Sequence, residues 1–284
     1  MIRISLFAGL ILLASIAHAD TPATQPAVDF LRLVENDDGS AALQTSVVTF
    51  ARGDARVHLY AAVHIGDRAY YDALNTAFAN YQVVLYEMVK PRHVQPPPPG
   101  QFGNGGGVNM LQRMMQHVTR LEYQLDIIDY TKRHFVHADM DFETFAAAMN
   151  ERNEVSRMML RALTSGAQTQ THPDVLLGQF MLAAKDPAQA VHLKRMLARE
   201  FANLDQTLAV LEGPDGSVLV NERNKAAVAA LEQQLRAGRT HIALFYGAAH
   251  VPDLGRRLTE LGFEPVETAW LIAWDIPVPP AEQQ

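Results

Sequence analysis

Apolar residues recur with a period of two near both ends of the chain and with a helical period in between. Residues 45–51 and 56–63 read as two strands joined by the turn-forming Arg52, Gly53 and Asp54. Val57, Leu59 and Ala61 alternate, and Ala62 and Val63 extend the run toward burial on both faces. Within residues 67–81, Tyr71, Leu74 and Phe78 share one helical face. Val83, Val84, Leu85 and Tyr86 then form a short apolar run, again a strand. Strand, helix and strand in so short a stretch make a βαβ unit, whose two strands run parallel. The far end repeats the theme: residues 241–247 predict a strand, 253–261 a helix stopped by Gly262, and 265–275 a final strand.

The middle, residues 108–237, is expected to be largely helical. Met110, Leu111, Met114, Met115, Val118, Leu121, Leu125 and Ile128 keep one face apolar over several turns, a stripe suited to helix packing. Further helices are expected at 175–184, 187–211 and 222–237, with a short strand at 135–138 and Asp141 capping a helix that starts at Phe142. Gly213, Pro214, Asp215 and Gly216 mark a turn. Residues 91–107 carry a proline run and a glycine run, which read either as solvated surface or as a lid beside a site. Together these elements predict an α/β fold with two pseudo-repeated α/β halves and mostly parallel strands, linked by the helical middle. Residues 45–275 form a single domain in this reading, with a lead at 20–44, mobile over 21–28, and a frayed tail at 276–284.

Residues 1–19 hold Arg3, an apolar run from Ile4 to Ile16, and then Ala17, His18 and Ala19, the build of a secretory signal peptide cleaved after Ala19. The run falls short of the ~20 residues of a membrane span, so an exported protein without a stable span, most simply periplasmic, is expected. Of the 284 residues, 48% are apolar and 19% charged, which provides for one sizeable core and excludes a disordered or multi-span chain. Lys and Arg number 24 against 31 Asp and Glu, a net charge of −7 without the basic footprint that nucleic acid requires. Cysteine is missing, so disulfides, thiol nucleophiles and zinc–thiolate sites are excluded.

Candidate chemistry comes from the two repeated ends. His64 and His250 each follow an apolar strand and small residues, and each precedes an aspartate near a helix start, Asp67 or Asp253. Both histidines should therefore lie past the carboxyl ends of parallel strands, the edge where open α/β sheets bind ligands. Glu87 follows the strand at 83–86 and emerges at the same edge, one or two strand spacings from His64. If the halves pack face to face, two imidazoles and a carboxylate converge, a donor set that suits Mn, Co or Zn and leaves open positions. Glu87 is then either a ligand or the base acting on bound water. Asp67 and Asp253 read as helix caps. Asp139, past another strand end, is either a site residue or a turn residue. Of the other histidines, His58 and His241 read as structural, His18 leaves with the signal, and His93, His117, His134, His172 and His192 as solvated imidazoles. His137 precedes Asp139 at its strand end.

These residues resemble the TraB/GumN family, related to the Tiki proteases and more loosely to erythromycin-esterase-like and haem-binding ChaN proteins. The motifs are Ala61-Ala62-Val63-His64, with alanine where the family has glycine, then Glu87 in Leu85-Tyr86-Glu87-Met88, Asn221-Glu222-Arg223-Asn224, and Gly247-Ala248-Ala249-His250. The resemblance implies a two-half α/β fold with a site between the halves, in which His64, Glu87 and His250 hold a divalent metal. It makes Glu87 and Arg223 catalytic candidates, Arg223 binding an anionic group or a developing oxyanion; an ordinary surface charge is the other reading of Arg223. Asp139, Asn221 and Asn224 are candidates to support these groups. The implied function is an exported metal-dependent hydrolase acting on a peptide or another small molecule. The alternative is a protein that binds a peptide or haem in the same cleft without turnover.

Overall fold

A computed structural model describes residues 30–101, 116–157, 173–203 and 216–280. The signal peptide, most of the lead with its stretch 21–28, the insertion beyond residue 101, Met110 to Met115, His172, the helix expected beyond residue 203, Gly213 to Asp215, and residues 281–284 lie outside the described residues.

The fold is α/β, built on one mixed sheet of β1 (Leu31–Glu35), β2 (Ala41–Arg52), β3 (Ala55–Ala62), β5 (Val83–Tyr86), β7 (Phe135–His137), β8 (His241–Gly247) and β9 (Glu264–Ile276). A second, two-stranded ladder joins β4 (Ile65–Gly66) to β6 (Glu122–Tyr123). Helices α1 (Arg68–Phe78), α2 (Gln124–Ile127), α3 (Phe142–Glu151), α4 (Pro173–Ala183), α5 (Pro187–Ala202), α6 (Arg223–Arg236) and α7 (Val251–Glu260) complete it.

The central strands β3, β8, β5 and β7 are parallel and adjacent in that order. Their sequences explain the position: β5 is buried at every residue and β8 at all but its first, so they suit only the middle of a sheet covered on both faces. The two strands of the early βαβ unit are parallel as expected, but they do not pair, because β8 lies between them. The repeated strand–histidine motifs therefore lie on neighbouring strands of one sheet, with Ala62 beside Gly247. Their convergence needs no face-to-face packing.

The flank is antiparallel. β2 pairs with β3 and β1 along one edge and with β9 along the other. The chain expected to be a lead thus already forms strands from Leu31. Asn36 to Ser40, a polar stretch with Gly39 at φ 84°, is a tight turn between β1 and β2, and its polarity hides the strand before it.

The predicted helix through residues 116–128 is broken. Arg120 adopts φ 58°, β6 pairs with β4, and Gln124 N donates to the His64 carbonyl at 2.9 Å where α2 begins. Tertiary pairing overrides the periodicity. Elsewhere the local signals hold: Asp141 accepts from Thr144 N at the start of α3, and Gly262 ends α7 at φ 80°. Among the described residues, no helix is long and apolar enough to cross a membrane.

Candidate functional site

The carboxyl ends of the parallel strands bring together side chains from five separate stretches of chain. Glu87 continues the β5 ladder, its N–H donating to Phe245 O at 3.2 Å. Asp139 follows β7, and its side chain is wholly buried. His250 ends a single 3₁₀ turn after β8 and is 4% exposed. Arg223 and Asn224 open α6, which follows a π-helical turn at Val218–Glu222. His64, in the loop after β3, is the exposed member of the group.

Arg223 is the hub. Its Nη2 donates to Glu87 Oε1 at 2.6 Å and to Asp139 Oδ2 at 2.5 Å, and its Nε to Asp139 Oδ1 at 3.0 Å. Nη1 lies 3.4 Å from both the Leu219 carbonyl and His250 Nε2. Burial disfavours the guanidinium charge, but Glu87 and Asp139 outweigh it and raise its pKa above the ordinary arginine value. Every edge of the fork is engaged, so Arg223 has no spare donor for a substrate anion while these bonds stand. Neither is it an ordinary surface charge.

Glu87 is equally committed. Oε1 takes Arg223 and stands 3.3 Å from His250 Nε2, and Oε2 accepts from Gly247 N at 2.6 Å. Burial alone would push this carboxyl up. The charges of His250 and Arg223, with a further contribution from His64, instead hold it well below the usual carboxylate range. Burial pushes the neighbouring Tyr246 phenol well up, and its hydroxyl donates to the Ala138 carbonyl, tying β8 to the chain that carries Asp139.

Both imidazoles are held in the same way. His64 Nδ1 faces Gln124 Oε1 at 3.2 Å, while Gln124 Nε2 donates to Tyr130 Oη at 2.6 Å. His250 Nδ1 faces Asn224 Oδ1 at 2.7 Å. With an amide oxygen at Nδ1, a neutral ring would carry its proton there and present a lone pair at Nε2. His64 Nε2 ends over Gly247. A Cβ at that residue would lie 3.3 Å from His64 Nε2 and 3.1 Å from Glu87 Oε2. Gly247 has ordinary dihedrals, φ −54° and ψ 143°, so glycine is required here for space. Gly247→Ala is expected to displace His64 and Glu87 and to destabilise the protein by about 1–3 kcal/mol, read from urea unfolding.

His64, Glu87, Asp139, Arg223, Asn224 and His250 therefore meet at one edge. Asn221 does not join them: its Oδ1 accepts from Ser217 N at 2.6 Å and shapes the turn before α6. Asp67 and Asp253 do not cap their helices. Asp67 stands at the N-cap of α1 without a cap bond and takes Lys194 Nζ at 2.8 Å, whereas Asp253 binds Asn224 Nδ2 at 2.8 Å. Gln124 was hidden from the sequence by its place in a helical stripe. Asp253 was hidden by a position that reads as capping.

The two Nε2 atoms flank Glu87, as an ion held by His64, Glu87 and His250 would require. Yet Oε1 already carries a guanidinium and Oε2 a backbone N–H, and His250 Nε2 faces that same guanidinium. Among the described residues, no group of three or more His, Asp or Glu side chains is arranged to hold a metal ion. In this arrangement the positive charge beside Glu87 is that of Arg223. The fold and the edge cluster define an α/β protein with an imidazole–carboxylate–guanidinium site. Comparison with known families, with characterised proteins and with solved structures finds no match.

Proposed function

We propose that this edge is the catalytic site of a hydrolase, with His64 as general base. The observation that carries the reading is His64 itself, an exposed imidazole facing Gln124, whose Nε2 converges with the Glu87 carboxylate over Gly247. His64 takes the proton of the attacking water. Glu87, kept anionic by its neighbours, stabilises the imidazolium that forms. Arg223 holds Glu87 and Asp139 at fixed positions, so little reorganisation accompanies the step. A peptide or another small acyl compound is the substrate class, and the leader-like residues 1–19 support action outside the cytoplasm.

The test uses p-nitrophenyl acetate and an internally quenched peptide library as probes. Turnover is expected for the wild type, with a fall of about 100-fold or more in His64→Ala and no change in melting temperature, because the side chain is exposed. Equal rates in the two proteins would overturn the assignment. Turnover should persist in a chelator. Loss there, with recovery on adding Mn, Co or Zn, would show that an ion displaces Arg223 from Glu87. A wild type that binds peptides or haem without turnover would favour the binding alternative.

A further inference from the structure

The rest of this site's polar network runs outward from His250. Asn224 is fully buried, and its amide bridges His250 to α7. Its Nδ2 donates to Asp253 Oδ2 at 2.8 Å and to the His250 carbonyl at 3.1 Å, two groups that can only accept. Those two acceptors settle which end of the amide is nitrogen, so Oδ1 must face His250 Nδ1, where it stands at 2.7 Å. Asp253 is itself held ionised. Burial works against its charge, but Arg257, Asn224 and Arg256 outweigh that and keep its pKa below the ordinary aspartate value. Arg257 Nε donates to Oδ2 at 2.6 Å, and Arg256 Nη2 donates to Oδ1. The Tyr246 ring stands edge-on to the imidazole at 5.4 Å between centroids and limits its rotation.

We infer that Asp253 is a positioning residue: acting through Asn224, it fixes the proton of neutral His250 on Nδ1 and leaves Nε2 facing Glu87 and Arg223. In the neutral ring Nε2 accepts from Arg223 Nη1 across 3.4 Å, and in the imidazolium it donates to Glu87 Oε1 across 3.3 Å. Nε2 thereby stays turned toward Glu87 and Arg223. This inference rests on the hydrolase reading for its purpose, but its geometry stands apart from it.

The test is therefore a spectroscopic one. Imidazole ¹⁵N resonances of the full chain, assigned with His250→Gln, are expected to show neutral His250 protonated on Nδ1. In Asp253→Asn the new amide can donate to Asn224, so Asn224 is free to turn, and the signature should become mixed or switch to Nε2–H. Asp253→Glu, which keeps an acceptor, should retain the wild-type signature. On p-nitrophenyl acetate, Asp253→Asn should lower kcat about tenfold or more with KM little changed and should displace the pH profile. A wild-type His250 protonated on Nε2, or a folded Asp253→Asn with an unchanged signature, overturns the inference. Should Asp253→Asn fail to fold, the wild-type and Asp253→Glu spectra still decide it. If the spectra behave as expected while no variant, His64→Ala included, alters turnover, the hydrolase reading fails and the positioning role stands.

Discussion

Arg223→Met is expected to destabilise the protein by about 3–5 kcal/mol, because it leaves two buried carboxylates facing each other without a cation. The Glu87 side chain is 10% exposed and that of Asp139 is not exposed at all, so water cannot replace the guanidinium at either. Urea unfolding at neutral pH measures the loss. The double variant Arg223→Met, Asp139→Asn should recover a large part of it, since one of the two stranded charges is then gone. The deficit should also shrink in acid. In the wild type, Glu87 titrates well below its unfolded value, so its contribution is complete above about pH 4.3 and drains away as the pH falls further. A loss under about 1 kcal/mol at neutral pH would mean that Glu87 and Asp139 do not depend on Arg223.

Trp274→Ala should be comparably severe, at about 3–5 kcal/mol in the same unfolding experiment. Trp274 is fully buried, packs edge-on against Phe201 at 5.1 Å, and donates from Nε1 to the Ile65 carbonyl at 2.7 Å. That last bond joins β9 to the residue after His64. Trp274→Phe keeps much of the packing but loses the hydrogen bond and part of the ring volume, so it should cost about 1–3 kcal/mol. Its effect on the proposed hydrolase activity should be out of proportion to that cost, because the loop carrying His64 loses its anchor. An alanine variant as stable as the wild type would show that β9 is not what fixes that loop.

Much of this arrangement is legible in the residues, and the gaps have physical causes. The apolar runs of β5 and β8 announce buried parallel strands, and the matched surroundings of His64 and His250 place both at one sheet edge. What the runs do not reveal is order. A strand buried on both faces has no pattern that names its neighbours, so the insertion of β8 between β3 and β5 is a tertiary fact. The stripe at Val118, Leu121 and Ile128 is buried as its periodicity suggests, but by a loop, a two-residue strand and a short helix, with Leu125 left 39% exposed. Arg223 illustrates the same limit at the site. Its motif marks it as important, whereas its saturation by Glu87 and Asp139 follows only from packing three remote segments together.

The placement of β8 also governs when the molecule can come into being. Arg56 lies beside His241 and Ala41 beside Ile276, so these strands wait for partners made roughly two hundred residues later. Such long-range closure is slow and leaves edges open meanwhile. Until β8 and the turn after it have been made, the nascent chain holds His64 and Glu87 but neither Gly247 nor His250 to complete them. On the hydrolase reading, a chain cut short before β8 should therefore remain inert however well its earlier strands fold.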